Sequence, residues 1–200
     1  MGERRIKGVL FDFDGTLTLP GALDFPAIKR EMNCPQDIPI LEWLETVPSE
    51  HKPPLMRILE SAEEKAAEES LPNVGAEGCL LSLRDKGLFL GIITRNSLLS
   101  VRAALKRFET VRLPDFSTVI TRDDSLPKPH PDGVHKACER MGLNASELMV
   151  VGDFRFDVMA GKAAGCCTVL LTNGRPSAMA PGDPEPDFTV TCLEEILRFV

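Results

Sequence analysis

Lys7-Gly8-Val9-Leu10-Phe11 runs directly into Asp12-Phe13-Asp14-Gly15-Thr16-Leu17. The apolar run is continuous rather than alternating, which marks a strand buried on both faces, as in a parallel sheet covered by helices on each side. Comparable runs recur at Phe89–Ile93, Ser117–Thr121, Leu148–Val151 and Cys167–Leu171, with a weaker one at Asp187–Thr191. Helical patterns separate them, at about 75–87, 96–108, 131–141, 155–165 and 193–199. Asn96-Ser97 suits a helix N-cap, and Pro131 suits a first helical turn. Right-handed βαβ crossovers repeated in this way predict an α/β fold: a doubly wound, Rossmann-like parallel sheet.

The rhythm breaks once. Residues 19–74 hold no convincing strand, only helical stretches near 22–32, 40–47 and 53–70 with prolines at 35, 39, 48, 53 and 54. That is too much chain for one crossover, so the expected organisation is an α/β core of residues 1–18 and 75–200 with a small helical cap, 19–74, inserted. The insertion carries 5 Lys+Arg against 11 Asp+Glu, net −6, and the rest of the chain 18 against 19, net −1. Glu60, Glu63, Glu64, Glu68 and Glu69 read as a solvated helix face. Trp43 is expected in the core of the insertion, Lys29 and Arg30 on its surface. Residues 172–187 read as a surface loop.

Composition narrows the function classes. Apolar residues are 43% and charged residues 26% of 200, ordinary globular usage that excludes disordered or fibrous chains. A net charge of −7 disfavours a general binder of nucleic acid or anionic membrane. No apolar run is long enough to span a bilayer, and the basic start gives way at once to Asp12, so no secretory signal is expected. The six cysteines form no Cys-x-x-Cys pair and sit mostly in apolar segments. Free thiols, a reducing cytoplasmic compartment and no zinc site are the expectation.

In open parallel sheets ligands bind beyond the carboxyl ends of the strands. Asp12 and Asp14 follow the first strand, two residues apart and so on one side of extended backbone, with Gly15 and Thr16 as a turn. Thr94-Arg95-Asn96 follow the second strand just before a helix N-terminus. Lys128 lies beyond the third, framed by Pro127, Pro129 and Pro131. Gly152-Asp153 and then Asp157 follow the fourth. Two carboxylates about 4 Å apart repel by roughly 4 kcal/mol at an effective dielectric of 20, so the cluster calls for a balancing cation. Oxygen-only ligands with room for water and substrate suit Mg²⁺. The ammonium, hydroxyl and amides suit a phosphoryl group, and a carboxylate can attack it to form an aspartyl-phosphate.

These four segments, Val9–Leu17, Ile93–Asn96, Lys128–Asp132 and Val151–Asp157, resemble in order and position the motifs of the haloacid dehalogenase-like superfamily. The phosphoglycolate phosphatase-like branch, with its helical cap between the first two motifs, is the most similar. The resemblance implies that Asp12 is the nucleophile and a Mg²⁺ ligand. Asp14 would bind the metal through its backbone carbonyl and act as general acid and base through its side chain. Thr94 and the following amide, with Arg95 and Lys128, would hold phosphate. Asp153 would be the third metal ligand, and Asp157, Asn96 and Gly15 would support the site. Phe154 departs from the small hydroxyl residue often found there in this branch, and could wall the site with Phe156. The expected activity is a Mg²⁺-dependent phosphatase for a small phosphorylated metabolite, by a monomer or weak homodimer. The alternatives are a phosphomutase of the β-phosphoglucomutase type or a catalytically quiet regulatory or binding module; Asp14 argues against a dehalogenase. His130 and His135 read as surface or loop-packing residues, and Asp123 and Asp124 as solvated acids.

Overall fold

The computed structural model describes residues 6–200; the basic start at residues 1–5 lies outside them. Among the described residues six strands are formed: β1 (Gly8–Phe11), β2 (Phe89–Ile93), β3 (Thr118–Ile120), β4 (Leu148–Gly152), β5 (Cys167–Leu171) and β6 (Phe188–Val190). All pair in parallel, in the order β3-β2-β1-β4-β5-β6. β1, β4 and β5 are buried along their whole length, as continuous apolar runs require in a sheet covered on both faces.

The helices are α1 (Phe25–Met32), α2 (Ile40–Thr46), α3 (Lys52–Glu69), α4 (Ala76–Asp85), α5 (Leu98–Leu105), α6 (Asp132–Met141) and α7 (Arg155–Ala164). Successive side chains of a strand point to opposite faces, and the core divides accordingly. Val9, Phe11, Ile92 and Val151 pack with Leu80 and Leu83 of α4 and Val101 and Leu105 of α5. Leu10, Ile93 and Val150 pack with Val134 and Met141 of α6 and Ala160 of α7. α1–α3 carry a separate apolar cluster of Ile28, Met32, Cys34, Ile40, Leu44 and Leu59, against which Trp43 is partly buried.

From β1 the chain steps outward through β2 to β3, then returns to place β4 on the other side of β1. The strand order therefore reverses beside β1. Loops leaving the carboxyl ends there diverge and open the crevice in which doubly wound proteins bind ligands.

Several local expectations need correction. The last helical pattern, 193–199, winds as a tighter 3₁₀ segment over Leu193–Arg198. The pattern at 96–108 begins its helix at Leu98, because Ser97 caps it by accepting from Ser100 N–H while Asn96 turns elsewhere. Pro131 stands at the N-cap, one residue before α6. Glu63 is not on a solvated face: it is 3% exposed, since this side of α3 turns to the core and meets Arg122. Asp124 is held by Thr121 N–H and Oγ1 and by Arg140, closing the turn after β3. No disulfide joins the six cysteines, five of which are buried, and His130 and His135 are exposed. No helix among the described residues is long and apolar enough to cross a membrane.

Candidate active site

Asp12 continues the β1 ladder by donating its N–H to Val151 O of β4, at 2.8 Å. Its side chain thereby stands at the reversal in strand order. Lys128 Nζ donates to Asp12 Oδ1 at 2.5 Å, and Thr16 Oγ1 to Asp12 Oδ2 at 3.2 Å. The same ammonium donates to Asp157 Oδ1 at 2.5 Å and to Ile93 O at 3.1 Å, which satisfies all three of its hydrogens. Burial would lower the pKa of this lysine, but the Asp12 and Asp157 carboxylates outweigh it and hold the ammonium above its ordinary range. Phe154 N–H donates to the other Asp157 oxygen, fixing that carboxyl at the first turn of α7.

The chain after Asp12 makes a wide, non-helical turn over Phe13–Leu17, with Gly15 at φ +78°. That conformation favours glycine. Within this turn the Asp14 carboxyl is held by Asn96, whose Nδ2 donates to Asp14 Oδ2 at 2.7 Å. Burial, and after it the Asp12 and Glu63 charges, push the Asp14 carboxyl up to about 7. Such a group exchanges protons near neutrality.

Ligand oxygens of Asp12, Asp153 and Asp157 all lie within 4.8 Å of one another. Burial first, then Asp12 and Asp157, push Asp153 up to about 8. Asp157 rises to about 6, mainly by burial, with Lys128 drawing it back. Carboxylates crowded until they hold protons near neutrality form a place where a hard divalent cation is favoured, and the donors are oxygen alone.

Thr94 is buried beyond β2 and its Oγ1 accepts from Asn96 N–H at 3.1 Å. Arg95 turns to α2: its guanidinium donates to both oxygens of Glu42, at 2.8 and 2.5 Å, and also to Lys128 O. Arg95 also lies over the Phe156 ring, 5.2 Å from the centroid, and Phe154 meets Phe156 edge to face. The structure thus gathers Asp12, Asp14, Gly15, Thr94, Asn96, Lys128, Asp153 and Asp157 at one end of the sheet. Arg95 reaches the same place but is held by a carboxylate of the helical segment.

Two residues that sequence reasoning passed over brace the turn. Asn173 Nδ2 donates to Gly15 O at 2.7 Å, and Asn73 Nδ2 donates to Thr16 O at 2.8 Å and to Asn173 Oδ1 at 3.0 Å. Asn173 sits at φ +52°, and its place before Gly174 after β5 was the available signal of a turn. Asn73 follows the neck where Thr18 bridges Pro72, so the exit from the helical segment is tied to the Asp12–Thr16 turn.

The sequence profile described as haloacid dehalogenase-like hydrolase matches residues 27–171, a span that includes Thr94, Lys128, Asp153 and Asp157 and begins after Asp12. An uncharacterized hydrolase of Saccharomyces cerevisiae is 35% identical over 202 residues, covering 100% of this chain and 93% of its own. The phosphoglycolate phosphatase of Escherichia coli is 28% identical over 234 residues, covering 96% of this chain and 91% of its own. Among solved structures, a predicted phosphoglycolate phosphatase from Haemophilus somnus superposes with a TM-score of 0.75 at 21% identity, over 96% of this chain and 97% of that one. A hydrolase from Pseudomonas syringae gives 0.76 at 20%, over 96% of each chain. These structures share the fold with this chain, and the matching profile together with the yeast relative carries the assignment further: the chain belongs to the haloacid dehalogenase-like hydrolases.

Proposed function

We propose that this chain is a Mg²⁺-dependent phosphatase of small phosphomonoesters, with Asp12 as nucleophile. The supporting observation is the placement of the Asp12 carboxylate. It lies at the reversal of strand order, paired with a buried ammonium on one oxygen and a hydroxyl on the other, inside an oxygen-only cluster. The Asp12 and Asp153 carboxylates and the Asp14 backbone carbonyl would hold the metal. When bound, Mg²⁺ offsets the clustered negative charge and that of the phosphoryl oxygens.

Lys128 orients Asp12 and balances charge on the transferring group, and Asp157 fixes Lys128. Thr94 and the amide after it offer donors to phosphate oxygens. An Asp12 oxygen attacks phosphorus while the ester P–O bond breaks, and the protonated Asp14 carboxyl gives its proton to the departing alkoxide. Water then attacks the aspartyl-phosphate and loses its proton to Asp14, which frees phosphate and restores the Asp12 carboxylate. Asn96 holds Asp14 for both transfers. Residues 19–74 serve as the cap over the core of 1–18 and 75–200. Arg95, expected on phosphate, reaches it only after releasing Glu42.

The test is hydrolysis of an aryl phosphate with and without Mg²⁺ by the wild-type chain and by Asp12→Asn. Metal-dependent turnover lost in the folded variant is the expected result. Turnover surviving in Asp12→Asn would overturn the reading.

A further inference from the structure

Glu42 of α2 and Glu63 of α3 each neutralise an arginine of the α/β layer beside the site. Glu42 takes the Arg95 guanidinium through both oxygens, and Arg95 in turn holds Lys128 O. Glu63 Oε1 accepts from Arg122 at 2.5 Å, with Glu60 3.7 Å from the same guanidinium. Arg122 N–H donates to Asn96 O, and Asn96 holds Asp14, so this pair stands one residue away from the proposed acid. Glu63 and Arg122 are 3% and 6% exposed in their side chains. Glu63 Oε2 is buried without a hydrogen-bond partner. The negative charge of Glu63 also acts on Asp14 itself.

Arg95 and Arg122, which touch Lys128 and Asn96 of the site, are therefore already matched by carboxylates. The segment that carries those carboxylates has a net charge of −6. A phosphoryl group still meets Lys128 and the loop amides. A second anion on the leaving alcohol would instead find both guanidinium groups already paired, beneath a segment of net negative charge. We propose that Glu42 and Glu63 are specificity determinants that reject esters carrying a second negative charge, so that the substrate is a phosphomonoester of an alcohol without negative charge. This rests on the phosphatase reading and narrows its substrate class.

The test compares two esters of similar size, ethylene glycol monophosphate and phosphoglycolate, on the Mg²⁺-loaded full chain, with an aryl phosphate as control. An ester turned over too slowly to follow is read as a competitive inhibitor of the control reaction. A like charge held within several ångströms in a partly desolvated site corresponds to a preference of about tenfold or more for the neutral ester, seen mainly in KM or Ki. Glu42→Gln and Glu63→Gln keep shape and free one arginine each, so the preference should fall toward parity in both. Glu42 is half-exposed, which keeps the test usable if Glu63→Gln fails to fold. Equal or better use of phosphoglycolate by the wild type, or a preference unchanged in the folded variants, overturns this inference alone. Failure of the chain to hydrolyse the aryl phosphate would instead overturn the phosphatase reading.

Discussion

At Gly15 the needs of the backbone and of the acid cluster coincide. Its φ is +78°, and a Cβ there would lie 2.2 Å from Asp153 Oδ2. An L side chain in that conformation costs about 1–2 kcal/mol before any clash is counted. Relief of the clash requires the Asp153 carboxyl to shift within the acid cluster it forms with Asp12 and Asp157. Gly15→Ala is therefore expected to lower unfolding free energy by more than about 1 kcal/mol in urea titrations and to weaken Mg²⁺ binding measured by calorimetry. A variant with unchanged metal affinity would show that the close approach of Gly15 to Asp153 has no part in the site. Gly152, the last residue of β4, shares the close approach though not the positive φ: a Cβ there would come within 2.1 Å of Asp157 Cγ.

Among the elements, α3 departs most from its sequence reading. Its acids at 60, 63, 64, 68 and 69 look alike in the sequence, and only the orientation of the helix separates Glu63, buried on Arg122, from Glu64, exposed. That orientation depends on where the chain brings Arg122, at a sequence separation of 59 residues, information that no local pattern carries. The Glu42–Arg95 pair and the Asn73–Asn173 brace were hidden for the same reason. The strands and the acids at their ends were legible because each depends on a few consecutive residues: an apolar run that stops at Asp12, Thr94 or Asp153. Truncating one partner of a buried ion pair leaves a charge uncompensated, at a cost of about 3–5 kcal/mol. Glu63→Ala should therefore lower the urea midpoint sharply, whereas Glu64→Ala should stay within about 0.5 kcal/mol of wild type. Equal effects of the two would place Glu63 on the solvent side after all.

For the whole molecule, stability and the acid cluster are linked. Asp153, Asp14 and Asp157 are pushed up to about 8, 7 and 6 from an ordinary 3.8. Between that ordinary value and their folded values the metal-free native state binds more protons than the unfolded chain. Its stability therefore falls as pH rises, by up to about 1.4 kcal/mol per pH unit for each proton involved. Metal-free protein should melt higher at pH 6 than at pH 8.5. Mg²⁺ at one hundred times its dissociation constant should add about 2.7 kcal/mol, with the larger rise in melting temperature at the higher pH, where the carboxylates are free of protons. A melting temperature indifferent to both pH and Mg²⁺ would contradict a cation site at these acids.

Asp12 lies where the outward step to β2 and the return to β4 diverge, and every proposed role depends on its oxygen taking the phosphoryl group. The direct measurement is an acid quench during turnover of a radiolabelled phosphomonoester, followed by peptide mapping of the labelled protein. The predicted result is label on the peptide containing Asp12, at Asp12 itself. Label at any other residue would contradict the mechanism.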